Sequence, residues 1–132
     1  DDRAGQTDAY IKFDHLEVNC GSDGQHAKVC LTIDGVDKCA KSEGQGPIDA
    51  IFKSIKEMVK SEAKLVRYKV YAVTEGLDSQ AEVLVRLKGK NDVEVGANAS
   101  DIDTTIASAK AYISALNKLH NYESRISLID VV

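Results

Sequence analysis

Polar residues fill positions 1–9, and apolar and polar positions alternate from there on. The opening nine read as a linker or disordered segment. Ile11, Phe13, Leu16 and Val18 predict a first strand that ends near Gly21, with a turn over 22–25. Ala27, Val29, Leu31 and Ile33 alternate with Lys28, Cys30 and Thr32, which predicts a second strand. Asp34-Gly35 is a tight hairpin signal, and a short third strand follows over 36–41. The period then changes. After Ser42-Glu43-Gly44-Gln45-Gly46, Pro47 suits a first helical position, and Ile48, Ile51, Phe52, Ile55 and Val59 fall on one helical stripe. Lys53, Lys56, Glu57 and Lys60 lie off that stripe.

The same order then restarts. A strand is expected over 65–74, a turn at Glu75-Gly76-Leu77-Asp78, and a second strand through Ala81, Val83, Val85 and Leu87. A hairpin at 88–92 leads to a short strand over 93–95, a loop over 96–100, and a helix from Asp101 to Leu119 capped by Ser100 or Asp101. Shifting the chain by 54 positions lays Ala27 on Ala81, Val29 on Val83, Gly35 on Gly89, Ser54 on Ser108 and Lys56 on Lys110 without a gap. The expected fold is α+β: two βββα repeats related by pseudo-twofold symmetry and sharing one core. One such unit is too small to bury enough surface alone. Repeat one covers about 10–62, repeat two about 64–120, and residues 121–132 form a tail.

Composition narrows the function. The net charge is −4, aromatics are 5% and Trp is absent, which leaves neither a basic footprint nor a stacking surface for nucleic acid. No apolar run reaches the roughly 18–20 residues of a membrane span. Cys20, Cys30 and Cys39 follow no zinc spacing and are read as buried or half-buried thiols in a reducing cytosol. His15, His26 and His120 have no ligand spacing with them, and no nucleophile elbow, P-loop or dinucleotide fingerprint occurs. No catalytic or metal-binding residue is expected. The chain begins Asp1-Asp2-Arg3, without Met, and reads as a piece of a longer protein.

Three stretches carry a resemblance over residues 10–120: Glu43-Gly44-Gln45-Gly46-Pro47-Ile48-Asp49-Ala50, then Tyr68-Lys69-Val70-Tyr71-Ala72-Val73-Thr74-Glu75-Gly76, and the helix with Asp101-Ile102, Ala107-Ser108, Ala111-Tyr112 and Ala115-Leu116-Asn117. Together they resemble the C-terminal regulatory domain of the α-isopropylmalate synthase and citramalate synthase family. That resemblance implies a homodimer that binds an end-product amino acid, leucine or alternatively isoleucine, for feedback inhibition. It implies an N-terminal TIM-barrel catalytic domain in the same chain, condensing acetyl-CoA with a 2-oxo acid and using a divalent metal. It implies no cofactor in this domain. A dimerisation module without a ligand is the competing reading.

The residues suit such a ligand. Glycine-bearing helix entrances at 44–48 and 96–102 offer backbone N–H groups to a carboxylate. Gly46, Pro47, Ile48, Ile51 and Ile55 would form the entrance and an apolar pocket, although the three isoleucines are also at core spacing. By the resemblance, His26, Ala27, Val70, Val95, Ala97 and Asn98 also approach the effector. The effector's side chain is expected mainly against the first helix.

Overall fold

The computed structural model describes residues 9–72 and 79–131; the opening residues 1–8 and the turn expected at Glu75-Gly76-Leu77-Asp78 lie outside them. The order is β1 (Ile11–Gly21), β2 (Gly24–Ile33), β3 (Val36–Gly44), α1 (Pro47–Val59), then β4 (Lys64–Ala72), β5 (Ala81–Lys88), a 3-10 turn (Lys90–Asp92), β6 (Glu94–Asp101) and α2 (Thr104–Val131). Two antiparallel three-stranded sheets result, ordered β1-β2-β3 and β4-β5-β6. The fold is α+β, βββα followed by βββα.

Alternation decides which sheet face is dry. Val29, Leu31, Val83, Val85 and Leu87 are fully buried on the two central strands, while Lys28 and Arg86 on the opposite faces are exposed. α1 lies across β3 and β2, and α2 across β6 and β5. The helical stripe behaves as its spacing requires: Ile51 and Ile55 are fully buried and Phe52 nearly so. Each buried isoleucine contributes about 1.5–3 kcal/mol of transfer free energy. α1 stops where Lys60 turns left-handed and donates its N–H to Lys56 O.

Several boundaries differ from the sequence reading. β3 runs on to Gly44, and residues 96–100, expected as a loop, lie inside β6. The ladder to β5 explains the second case: Arg86 pairs with Gly96, Val85 with Ala97 and Val83 with Ala99. Only alternate positions must face the core, so small and polar residues between them do not end a strand. α2 starts at Thr104, not Asp101, because the carboxylate of Asp103 accepts the Thr105 N–H at 2.8 Å and serves as the cap. It continues to Val131, so residues expected as a tail extend the helix past Leu119.

The repeat is gap-free in sequence but not in space. β1 and β4 match at the expected shift, with Leu16 paired to Val29 and Val70 to Val83. The hairpins then diverge. β2 and β3 are joined at Asp34-Gly35, both at positive φ, whereas β5 and β6 are joined through the longer turn at Lys90–Asp92. Ala40 and Ala99 therefore hold equivalent places opposite Val29 and Val83. In the helices, the buried positions Ala50, Phe52 and Ile55 correspond to the buried Ala107, Ala109 and Tyr112, not to Thr104, Ile106 and Ala109. The agreement of Ser54 with Ser108 is a coincidence of the gap-free shift.

The halves are joined through repeat two's helix. α2 also reaches β1 and α1. Asn117 Oδ1 accepts the Ile11 N–H at 2.8 Å, and its Nδ2 donates to the Ile11 carbonyl at 2.9 Å. One side chain thus satisfies both backbone groups of an edge residue. Phe52 of α1 stacks on Tyr112 of α2, with ring centroids 4.5 Å apart. The Tyr68 hydroxyl and Ser108 Oγ lie 2.7 Å apart, which ties β4 to α2.

Candidate functional site

The entrance to α1 is built on glycine, though the position that requires it is Gly44. A Cβ there would stand 2.5 Å from the Ala50 nitrogen and 2.8 Å from Asp49 Oδ2. Gly44 lets the end of β3 lie directly against the first helical turn. Gly46, the N-cap, is extended at φ −160°, and nothing lies within 4 Å of an added Cβ. Its carbonyl accepts the Ala50 N–H at 3.0 Å, and Pro47 follows as the first helical residue. Asp49 reaches back to accept the Gln45 N–H at 2.9 Å and lies 3.3 Å from Lys53 Nζ. The Gln45 N–H holds the Asp49 carboxyl below its ordinary value, and Lys53 adds to this against the opposing effect of desolvation.

The entrance to α2 is different. Asp103 is occupied with its own helix: the Thr105 hydroxyl, and with it the Thr105 and Ile106 N–H groups, holds its carboxyl below the ordinary value. Asp101 Oδ1 accepts the Asp103 N–H, and its other oxygen lies 3.5 Å from Lys110 Nζ. Two carboxylates already sit at this helix end, so it repels an incoming anion. Ile102, at the position matched to half-buried Ile48 by sequence, is 73% exposed.

The expected effector residues fall into two groups. His26, Ala27, Gly46, Pro47, Ile48, Ile51 and Ile55 belong to the first sheet and α1. His26 is half-buried on the outer face, with Nδ1 4.0 Å from Glu43 Oε2. Ala27 is buried, and its carbonyl accepts the Ser54 hydroxyl at 3.0 Å. Ile51 and Ile55 are core residues with no exposed surface, while Pro47 and Ile48 are half-buried at its rim. Val70, Val95, Ala97 and Asn98 belong to the second sheet. Val70, Val95 and Ala97 share its core face; Asn98 is exposed on the other. The contact that joins the two groups is indirect, the edge of Phe52 meeting Tyr68 at 5.6 Å between centroids.

One residue read as part of a turn belongs in the first group. Gln25 pairs with Gly44 in the ladder and shares the α1-facing side of β2 with Ala27. Its side-chain oxygen Oε1 is buried and has no hydrogen-bond partner among the described residues. A buried acceptor left alone is unfavourable by about 1–3 kcal/mol. No periodicity could have signalled it, since the property arises only where β2, β3 and α1 converge.

Other features lie apart from both groups. A crevice of about 190 Å³ lies between Tyr10, Val59, Glu62, Lys90 and His120, with Tyr10 stacked on His120 at 3.8 Å. A more open one of about 410 Å³ follows Lys12, Phe13, Lys110 and Ser114. Cys30 and Cys39, expected as thiols, form a disulfide: they are directly opposite in β2 and β3, with Cα atoms 4.1 Å apart. Spacing alone did not reveal that register. Cys20 is free and exposed. Among the described residues there is no group of three or more potential metal ligands and no helix long and apolar enough to cross a membrane.

Residues 1–120 match the family described as the LeuA allosteric (dimerisation) domain. The chain is 54% identical over 110 residues to the 2-isopropylmalate synthase of a Bradyrhizobium species, covering 83% of this chain and 21% of that protein. It is 46% identical over 119 residues to that of Caulobacter vibrioides (90% and 22%), and 44% identical over 126 residues to that of Afipia carboxidovorans (95% and 24%). The chain thus spans between a fifth and a quarter of the length of these relatives.

Proposed function

This chain belongs to the LeuA allosteric (dimerisation) domain family, and from that premise we propose that it is the effector-binding part of a 2-isopropylmalate synthase. The proposed effector is leucine, the end product whose binding would lower the activity of a catalytic barrel elsewhere in the same full-length protein. Isoleucine, the effector expected of a citramalate synthase, is the second choice. The relatives' shared name favours leucine.

The observation that carries the placement is Gln25. A free amino acid brings an ammonium that needs acceptors and a carboxylate that needs donors. The unpartnered Gln25 Oε1 supplies an acceptor beside the α1 entrance. The first-turn N–H of Ile48 supplies a donor at the positive end of the helix. The entrance to α1 holds one carboxylate, Asp49, beside Lys53, whereas the entrance to α2 holds two, Asp101 and Asp103, and is left out. Pro47 and Ile48 form the apolar rim against the effector's side chain, and Ile51 and Ile55 stand behind it as its floor. Val70, Val95, Ala97 and Asn98 complete the site only from a second copy or after a rearrangement.

Calorimetric titration of this chain with leucine, isoleucine, valine and lysine tests the function. Binding of leucine in preference to the others is expected, and saturation at a hundredfold excess over Kd should stabilise the fold by about 2.7 kcal/mol. If none of the four binds at millimolar concentration and none shifts the melting temperature, the chain is a dimerisation module without an effector. Gln25→Leu separates the placement from the function. Removing an unsatisfied buried acceptor leaves the fold as stable or more so, yet should weaken leucine binding about tenfold or more. Unchanged affinity would take Gln25 out of the site.

A further inference from the structure

We propose that His15, Cys30 and Cys39 form a site for a thiolate-seeking divalent cation, zinc or cobalt, once the Cys30–Cys39 bond is reduced. The strand register brings them together. Cys30, on the central strand β2, is directly opposite His15 of β1 on one side and Cys39 of β3 on the other. Directly paired residues point to the same side of a sheet, so the three side chains form one row across it. The row lies on the outer face. Val29 and Leu31, which flank Cys30 and point the other way, are fully buried beneath the helices, whereas His15 and Cys39 are exposed and Cys30 is half-buried. The ligands come from three different strands, so no sequence spacing signals them.

With the bond closed, the two sulfurs are spent on each other and the row offers a cation only an imidazole. Reduction changes that without disturbing the core, because neither cysteine packs beneath a helix. A dithiol reductant attacks the exposed Cys39 sulfur as its thiolate, the S–S bond breaks, and Cys30 leaves as a thiolate and takes up a proton. The reductant's second thiol then releases Cys39 as a thiol and closes the reductant's own disulfide. The cation displaces the two cysteine protons to solvent and holds two thiolates.

The geometry suits such an ion. Thiolates about 2.3 Å from a tetrahedral centre stand about 3.8 Å apart. Side chains from paired Cα atoms 4.1 Å apart reach that spacing by rotation of the side chains alone. His15 stands about 4.8 Å away, one strand spacing from Cys30, which an imidazole spans. Its Nε2 lies 3.2 Å from Glu17 Oε2. A ligating imidazole commonly gives its second nitrogen to a carboxylate in this way, which here leaves Nδ1 for the ion. Asp14, Glu17 and Asp37 offset Lys12, Lys28 and Lys41 on the same face. Both helices pack on the opposite face, so the fourth position is open to water. Two sulfurs and a nitrogen select zinc or cobalt over magnesium and calcium. None of the three residues belongs to the proposed effector site, so this inference stands apart from that reading.

Absorption titration with cobalt tests it, on chain carrying Cys20→Ser to remove the free thiol, reduced with a dithiol that is then removed under argon. The expected result is one cobalt per chain with a thiolate-to-cobalt band in the near ultraviolet, which zinc bleaches by displacement and which the unreduced chain lacks. Cys39→Ser should lose about half of the band, one thiolate remaining in place of two. His15→Ala should bind cobalt about tenfold or more weakly. A reduced chain with no saturable band, binding only at millimolar cobalt, or an H15A chain that binds as tightly as its parent overturns the proposal. Should H15A fail to fold, the imidazole proton resonances of the reduced parent decide. Those of His15 must shift on addition of zinc, and His15 resonances that stay in place while the thiols bind refute the site.

Discussion

Replacing Asn117 by Ala should destabilise the fold by about 2–3 kcal/mol, far more than a partly exposed helix position ordinarily does. Its two hydrogen bonds to Ile11 measure 2.8 and 2.9 Å and span 106 positions of sequence. Each is worth about 0.5–1.5 kcal/mol net. Their loss also leaves the Ile11 N–H and carbonyl without partners at a residue only 2% exposed, where water reaches them poorly. Ala is itself a better helix former than Asn by a few tenths of a kcal/mol, which slightly offsets the loss. Urea unfolding measures the outcome as a shift of midpoint at constant m-value. Asn117→Asp sharpens the reasoning: its ionised carboxylate still accepts the Ile11 N–H but confronts the Ile11 carbonyl with a second acceptor. N117D should be at least as destabilised as N117A at neutral pH. Its carboxyl, favoured in the protonated form that can donate, should have a raised folded-state pKa, so the deficit should shrink as pH falls through it. A loss below about 0.5 kcal/mol in N117A, or an N117D deficit that ignores pH, would refute the claim that this side chain fastens the two repeats.

Gly44→Ala should lose about 2 kcal/mol or more by pressing a methyl on the Ala50 backbone, whereas Gly46→Ala should stay within about 1 kcal/mol; thermal melts of the pair check it. The carboxyls of Asp49 and Asp103 are held below their ordinary 3.8 by the Gln45 N–H and the Thr105 hydroxyl, respectively. Their contribution is therefore present above that value and lost as pH falls through the folded pKa, so Asp49→Asn with Asp103→Asn should flatten the stability profile below about pH 4 in acid titrations followed by circular dichroism. Thiol titration of the folded, unreduced chain should find one reactive cysteine, Cys20, and three after reduction. Reduction should lower stability by about 2–3 kcal/mol, the chain-entropy value for so short a loop; a fully reactive set of three before reduction would contradict the pairing.

How far the fold was legible depended on the range of the interaction that fixed each part. The central strands and α1 could be read because Val29, Leu31, Ile51 and Ile55 each belong to a local period that burial enforces. β6 could not: Gly96, Asn98 and Ser100 have no strand character, and the neighbouring β5 ladder fixes their extended form. The start of α2 is not legible locally because Ser100, Asp101 and Asp103 are all competent caps, and only the end of the β5–β6 pairing at Asp101 decides among them. The Cys30–Cys39 bond and the Asn117 grip needed a register and a helix placement that no local pattern encodes. Near the candidate site, Gly44 and Gly46 stand at the start of α1, whereas Gly96, expected at the other helix entrance, lies inside β6 opposite Arg86. Which glycine lacks room, and that Gln25 holds an unpartnered oxygen there, follow only from the packing of β3 on α1.

The gap-free sequence repeat hid the feature with the most consequence. Treated as identical halves, the two βββα units would cover each other's outer strands reciprocally. A longer hairpin in repeat two displaces its helix relative to the shared frame, and the two helices have 13 and 28 residues. α1 reaches β4 only through Phe52 at Tyr68, so the start of β1 is covered by α2 while the start of β4 is left open. Ile11 and Leu65 have the same register, the same apolar character and opposite exposure. Val70, expected at the effector, lies on the same open face as Leu65.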